Sequence, residues 1–279
     1  MLEFFRITRS EKSDSFSAFH GSSNPGNRSF GYFSRPLLEV YFNNLFPYDL
    51  KANSLTIAEI FCYCEGVRML YSYFCVLSQK YKRGLLSFIF EEMTVTDDAD
   101  STAYLFSEIA QRRKEKYNPE CGVEYPCIEL EHIEQATGKI FGNVLSTAQS
   151  SIKTVAKTGD VLFGKLRPYL RKFAFVEQDI VCSSEIWALI PSTLVLPKFL
   201  YYLIQTEHFL HVANISSGTK MPRAEWENIE KEPFDIPCLA AQEKIIVTLE
   251  AIDKKICVAG DTLNAFSKMK NSLLQQLFI

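Results

Sequence analysis

The segment Gly159–Lys172 reads GDVLFGKLRPYLRK. Its apolar residues and turn signals describe packed β structure, with Val161–Phe163 and Phe173–Val176 predicted as short strands. Positive charge is concentrated in the same place. From Lys153 to Lys172 there are six cationic side chains (Lys153, Lys157, Lys165, Arg167, Arg171, Lys172) against one acid, Asp160, in a chain of net charge −3. Lys and Arg that neutralise phosphates release condensed counterions, which supplies sequence-independent affinity for nucleic acid. Arg can also fork onto a guanine edge. The competing reading of the same charges is a solvated strand edge whose lysines discourage edge-to-edge pairing.

At 279 residues the chain can form one large domain or two smaller ones, and it buries roughly three quarters of its unfolded surface. Hydrophobic residues at 47% and charged residues at 23% fit a globular protein. A net negative charge excludes a generally basic nucleic-acid coat, so binding of that kind has to be local. The eight cysteines follow no regular framework, which predicts reduced thiols in a cytoplasmic protein, mostly as small core residues. The opening MLEFFRITRSEK is a poor signal peptide, lacking an apolar run and a cleavage site. Ile60–Leu77 carries Glu65 and Arg68 and is read as a helix outside any membrane.

In chain order, residues 1–54 read as an irregular segment of unassigned role, with turn punctuation at Asn24-Pro25-Gly26. Residues 55–91 show a seven-residue apolar repeat that predicts a long helix. Polar, acidic residues 92–101 are a linker, and residues 102–237 form an α+β body with a further strand at Ile186–Ile190 and a helix at Pro197–Val212. A second long helix occupies residues 238–279. Long stripes require mates. The predicted pairing surface is Ile60, Val67, Leu70, Phe74 and Leu77 against Leu249, Ile252, Ile256, Leu263, Phe266 and Leu273, as an antiparallel coiled coil. The endings Lys82–Phe90 and Lys270–Phe278 share the pattern K-x-x-L-L-x-x-[IL]-F, the mark of an internal duplication, although the two heptad phases differ by one residue when these endings are aligned.

Four motifs occur in a specific order: Tyr125–Ile140 (YPCIELEHIEQATGKI), Gly159–Lys172, Ser216–Trp226 (SSGTKMPRAEW) and Phe234–Ile256 (FDIPCLAAQEKIIVTLEAIDKKI), closed by Leu273–Phe278 (LLQQLF). Over residues 108–279 the chain resembles the DNA specificity subunit of type I restriction-modification systems. The resemblance implies a target recognition domain followed by a long helix, with methylation and cleavage left to separate modification and restriction subunits. In that family two recognition domains and two paired helices set the spacing of a split target. Here there is room for one complete recognition domain, and Cys238-Leu239-Ala240-Ala241 departs from the family's proline-rich helix entry.

By that resemblance Lys165, Arg167, Arg171 and Lys172 face DNA, and Ser216, Ser217, Gly218, Thr219, Lys220 and Arg223 form a loop able to hold phosphate through amides, hydroxyls and cations. The implied partners are double-stranded DNA, modification subunits and, through the assembled complex, a restriction subunit. The missing half of the target reader is open between a second copy of this chain, a different subunit and nothing; two identical copies would read a palindromic split site. The competing reading is a truncated scaffold that docks modification subunits without selecting DNA.

No catalytic residue and no cofactor is expected. The acidic cluster Glu129, Glu131, His132 and Glu134 is read as a hydrogen-bonded strand, since it matches neither a zincin helix nor a two-metal site. Cys121, Cys127 and His132 lack a fourth zinc ligand, so no metal is assigned.

Overall fold

A computed structural model of the chain describes residues 57–92, 101–215 and 221–277. The irregular segment 1–54, nearly all of the linker 92–101 and the serine-glycine loop 216–220 lie outside the described residues.

Two long helices, α1 (Ile57–Ser87) and α6 (Leu239–Leu277), flank an α+β body that includes the short helices α2 (Phe106–Ile109) and α5 (Trp226–Ile229). The body is entered and left through neighbouring strands: β1 (Ser101–Leu105) pairs antiparallel with β11 (Pro233–Pro237), Ser101 opposite Pro237. Inside it, β2 (Ala110–Arg112), β10 (Ile186–Pro191), β7 (Val161–Gly164) and β8 (Phe173–Phe175) form an antiparallel sheet in that spatial order. A second sheet is ordered β3 (Lys116–Tyr117), β6 (Lys153–Ala156), β9 (Ile180–Cys182), β4 (Pro126–Ile128) and β5 (Val144–Leu145).

Period-two alternation explains why the first sheet reads as continuous apolar runs. Phe163, Phe173, Trp187 and Leu189 pack on a helical layer through Phe199, Tyr202 and Phe209, with Phe234 of β11 in the same cluster. Their neighbours Leu162, Ala174, Ile186 and Ala188 pack with Ala156, Ile180 and Cys182 of the second sheet. The strands are therefore buried on both faces. The helical layer is α3 (Pro197–Leu203) and α4 (Glu207–Ala213), where the sequence predicts one helix over Pro197–Val212. The break falls at Thr206, whose hydroxyl donates to the Leu203 carbonyl at 2.8 Å and accepts from the Phe209 amide at 3.3 Å, ending one helix and capping the next.

The long helices are part of this core. Leu86 and Ile89 at the end of the first, and Leu249 of α6, belong to the same buried cluster as the helical layer. Gln242, fully buried, fixes the start of α6: its amide donates to Leu194 O and Pro237 O at 2.9 Å each and accepts from Leu196 N at 2.8 Å.

Contacts between α1 and α6 run in opposite order along the two helices. Glu65 pairs with Lys270 at 2.9 Å, the Tyr71 and Phe266 rings stack at 6.4 Å, and Lys82 pairs with Asp253 at 2.6 Å. The offset that superposes Lys82 on Lys270 also superposes Glu65 on Asp253. The two ion pairs are thus copies exchanged between the helices, and the repeat seen in the endings extends to their electrostatics.

The buried line of α1 runs through Cys64, Val67, Lys82 and Leu86, while Phe74 and Leu77 are 43% and 45% exposed. The predicted seam is corrected there: a strict seven-residue step drifts by about 20° per heptad around a straight helix of 3.6 residues per turn. Leu249 is buried, and Leu70, Ile252, Ile256, Leu263 and Phe266 are half-buried; Ile60 and Leu273 lie within the two helices.

Lys82 is only 6% exposed. It sits over the Tyr202 ring at 5.2 Å, and the Tyr202 hydroxyl donates to the same Asp253 at 2.9 Å. Burial pushes the Lys82 pKa down, and the Asp253 carboxylate opposes that shift. Removing one partner of a buried pair leaves an uncompensated charge. Asp253→Leu is expected to destabilise the protein by about 3 kcal/mol in urea unfolding, and the double variant Lys82→Met/Asp253→Leu to recover most of that loss.

The hydrogen-bonded Arg68, and then Lys270, hold the Glu65 carboxyl at about 2, below its ordinary 4.5. A depressed carboxylate contributes stability above its unfolded pKa and loses it as the pH falls through the folded one. The stability difference between wild type and Glu65→Gln is therefore expected to disappear between pH 4.5 and 2 in acid titrations followed by circular dichroism.

Candidate nucleic-acid interface

The stretch 159–172 begins with a turn in which Gly159 takes φ +92°, a backbone state cheap for glycine alone, and the Asp160 amide donates to Lys157 O at 2.9 Å. Asp160, 2% exposed, is the structural acid of the segment. It accepts Arg113 Nε at 2.6 Å, Arg113 Nη2 at 2.8 Å and the Lys157 amide at 2.8 Å. Strand β7 then ends at Gly164, where a Cβ would stand 2.7 Å from Leu130 Cδ2 and 3.3 Å from Lys172 O.

Beyond Gly164 the chain makes a tight 3-10 turn, Pro168–Leu170, flanked by Arg167 and Arg171, both left-handed at φ +53° and +51°. Such backbone costs a non-glycine residue roughly 1 kcal/mol and persists only where neighbours impose it. Here the Arg167 amide donates to Pro222 O at 2.8 Å, the Ala224 amide to Lys165 O at 2.8 Å, and Leu166 bridges Arg223. On the other side the Ala136 amide donates to Arg171 O at 2.9 Å. Three of the four sequence motifs therefore converge on one turn.

Local charge is less available than its count implies. Lys153, 4% exposed, is paired with Glu129, and Lys157 with Glu115 at 3.0 Å. The half-buried Lys172 donates to the backbone carbonyl of Leu130 at 2.6 Å, which commits part of its ammonium to holding the turn below the strand. Arg171 forks onto Glu207 at 2.8 and 2.7 Å, and Arg223 onto Glu185 at 3.0 and 3.4 Å. Both are part-exposed pairs of the kind worth at most about 1 kcal/mol, which a phosphate can exchange. Lys165 and the exposed Arg167 have no side-chain partner among the described residues. Tyr169 and Met221, 55% and 49% exposed, lie in the same two segments. Ser216, Ser217, Gly218, Thr219 and Lys220 fall outside the described residues, on the segment entering this bridge from Ile215.

The acidic cluster is a 3-10 turn, Leu130–His132, rather than a strand. His132 Nδ1 accepts the Glu129 amide at 3.0 Å and Glu129 takes Lys153, so local backbone satisfaction wins over extension. Among the described residues no group of His, Cys, Asp or Glu is placed to hold a metal ion. Burial raises the Cys127 thiol to about 11 and Cys182 to about 12, which makes them inert packing groups. A cleft of about 1630 Å³ between helices and body is lined by Lys82, Lys139, Tyr201 and Asp253 and does not reach Lys165 or Arg167. The candidate interface is a rim, not a pocket. Sequence reasoning missed the acids Glu185 and Glu207, which come from distant segments and carry no local signal, and Gln242, the amide that pins α6 within a quoted motif.

The α+β body with its two long helices is similar in fold to solved specificity subunits of type I restriction-modification systems. The HsdS subunit from Thermoanaerobacter tengcongensis matches at a TM-score of 0.51 and 14% identity, over 79% of this chain and 55% of that one. The type I restriction-modification S subunit from M. genitalium matches at 0.53 and 14%, over 79% and 59%. This chain belongs to the family of the type I restriction modification DNA specificity domain, whose family model matches residues 106–265. Curated relatives include the type I restriction enzyme HindI specificity subunit of Haemophilus influenzae, 27% identical over 46% of this chain and 29% of that protein. The EcoDI specificity subunit of Escherichia coli is 28% identical over 53% of this chain and 34% of that protein. The chain thus spans about a third of the length of these relatives. No helix among the described residues is long and apolar enough to cross a membrane.

Gly164→Ala is expected to lower stability by about 1–3 kcal/mol, because a methyl group must displace Leu130 and Lys172. Arg167→Gly is expected to stay within about 1 kcal/mol of wild type, relief of left-handed strain offsetting the entropy of glycine. Urea unfolding of the two variants distinguishes the structural glycine from the exposed arginine.

Proposed function

We propose that this chain is a non-catalytic DNA-recognition component of a type I restriction-modification assembly, its body contacting double-stranded DNA and its helices docking modification subunits. The observation that carries this is the convergence of three motifs from the family-matched region on one rim, where Lys165 and Arg167 have no side-chain partner among the described residues. Arg171 and Arg223 border that rim and add exchangeable cations, and the hydroxyls and cation of residues 216–220, which lie outside the described residues, precede it in sequence. Residues 102–237 act as the target recognition domain. The paired helices act as an antiparallel coiled coil that positions it, and a restriction subunit joins through the assembly.

One recognition domain reads one part of a target. A second copy of this chain supplies the other part most simply, and its two-fold symmetry then demands a palindromic split site.

The scaffold reading is favoured by one observation: Met69, Tyr73, Val76, Leu77 and Tyr81 of α1 are all more than 40% exposed. Such an apolar surface suits a helical partner whether or not DNA is selected. Salt-dependent gel-shift titrations with and without modification subunits separate the two. Lys165→Ala/Arg167→Ala is expected to weaken duplex binding at least tenfold and to lower the slope of log affinity against log salt by about two. Unchanged affinity in the folded variant removes both residues from the interface, and assembly without sequence selectivity establishes the scaffold.

A further inference from the structure

Arg112, the last residue of β2, and Arg113 directly after it have opposite fates. Arg113 is consumed by Asp160, whereas the half-buried Arg112 has no hydrogen-bond or ion-pair partner among the described residues. Its guanidinium lies over two rings instead, 4.7 Å from the Trp226 centroid and 5.7 Å from Trp187, and those two indoles meet edge to face at 5.6 Å. A guanidinium stacked in this way keeps its plane and position through cation–π attraction while its N–H edge stays unspent. That edge is the group that forks onto paired oxygen or nitrogen acceptors.

Its place in the fold ties it to the rim. Arg112 pairs with Leu189 across the sheet, and four residues before Leu189, in the turn that leads into β10, lies Glu185, whose carbonyl accepts the Lys165 amide and whose carboxylate accepts Arg223. At a strand rise of about 3.3 Å per residue that separation is about 13 Å, close to the width of a DNA major groove. Trp226 stands three residues after Arg223 on the other segment of the rim.

Resting on the recognition reading above, we propose that Arg112 is a further DNA-contacting residue, held ready by Trp187 and Trp226 to fork onto a pair of acceptors, either a guanine edge or a phosphate. The bland role, a cap over an aromatic core, predicts that only its aliphatic stem matters. Arg112→Met keeps that stem and removes the fork.

The test uses the full chain, a randomised duplex library and Arg112→Met, Arg112→Lys and Lys165→Ala/Arg167→Ala side by side, each checked for thermal unfolding. Arg112→Met is expected to fold and to bind enriched duplexes about tenfold more weakly. If the acceptor is a guanine edge, Arg112→Lys loses the preference at one base position with the salt slope unchanged; if a phosphate, Arg112→Met lowers the slope by about one and Arg112→Lys restores it. Trp187 and Trp226 are the chain's two tryptophans. Saturating DNA is therefore expected to change the intrinsic fluorescence of wild type and to leave that of Arg112→Met nearly unmoved. Wild-type affinity, sequence preference and fluorescence response in Arg112→Met, beside weakened Lys165→Ala/Arg167→Ala, overturn the role of Arg112 and leave the recognition reading standing. Absence of duplex binding by the wild-type chain overturns both.

Discussion

A lysine ammonium cannot stay charged in a protein interior without a partner, and Lys82 finds one only because two other parts of the chain arrive at the same point. Asp253 comes from the second long helix and Tyr202 from the body, and all three meet within hydrogen-bond or ring contact. Packing of apolar surface tolerates sliding, since one methyl group replaces another at similar energy. A buried charge does not, because any shift leaves it unpaired in a poor solvent. The helices can therefore meet the body in one register, and Gln242 imposes the same condition at the start of α6 through three hydrogen bonds.

The remaining architecture follows from that register. The cluster containing Leu249, Leu86 and Ile89 is continuous with the aromatic layer under the four-stranded sheet, so helices and body share one core. The β1–β11 ribbon brings entry and exit together without acting as a hinge, since Phe234, Ile236 and Phe106 beside it are buried in that same core. A rim carried on such a body keeps a defined direction relative to the helices.

On the rim, the cations divide by what surrounds them. Lys153 is used inside the fold, Lys172 is partly committed to it, Arg171 and Arg223 wait in weak surface pairs, and Lys165 and Arg167 stand alone among the described residues. Left-handed backbone at Arg167 and Arg171 is maintained by hydrogen bonds from the segments around Ala136 and Pro222. The strain sits where the family's motifs meet, which is where an interface gains from side chains held in place before the ligand arrives.

The sequence by itself determined the classes of element and their order: two long helices, short apolar strands between them, an internal repeat in the helix endings and a basic turn. These are local properties, carried by apolar spacing, turn formers and charge within a few residues. The motif resemblance added the family, because order along a chain is also readable without coordinates. What only the tertiary structure decided were pairings between distant residues. The seam predicted through Phe74 and Leu77 moved because small errors in helical phase accumulate over several turns. Lys172 is partly committed to the Leu130 carbonyl because Gly164 lets Leu130 approach it, and Arg112 emerged because Trp187 and Trp226, far away in sequence, converge beneath it. Charge is written in the chain, but whether a charge is free depends on which acids folding brings within reach.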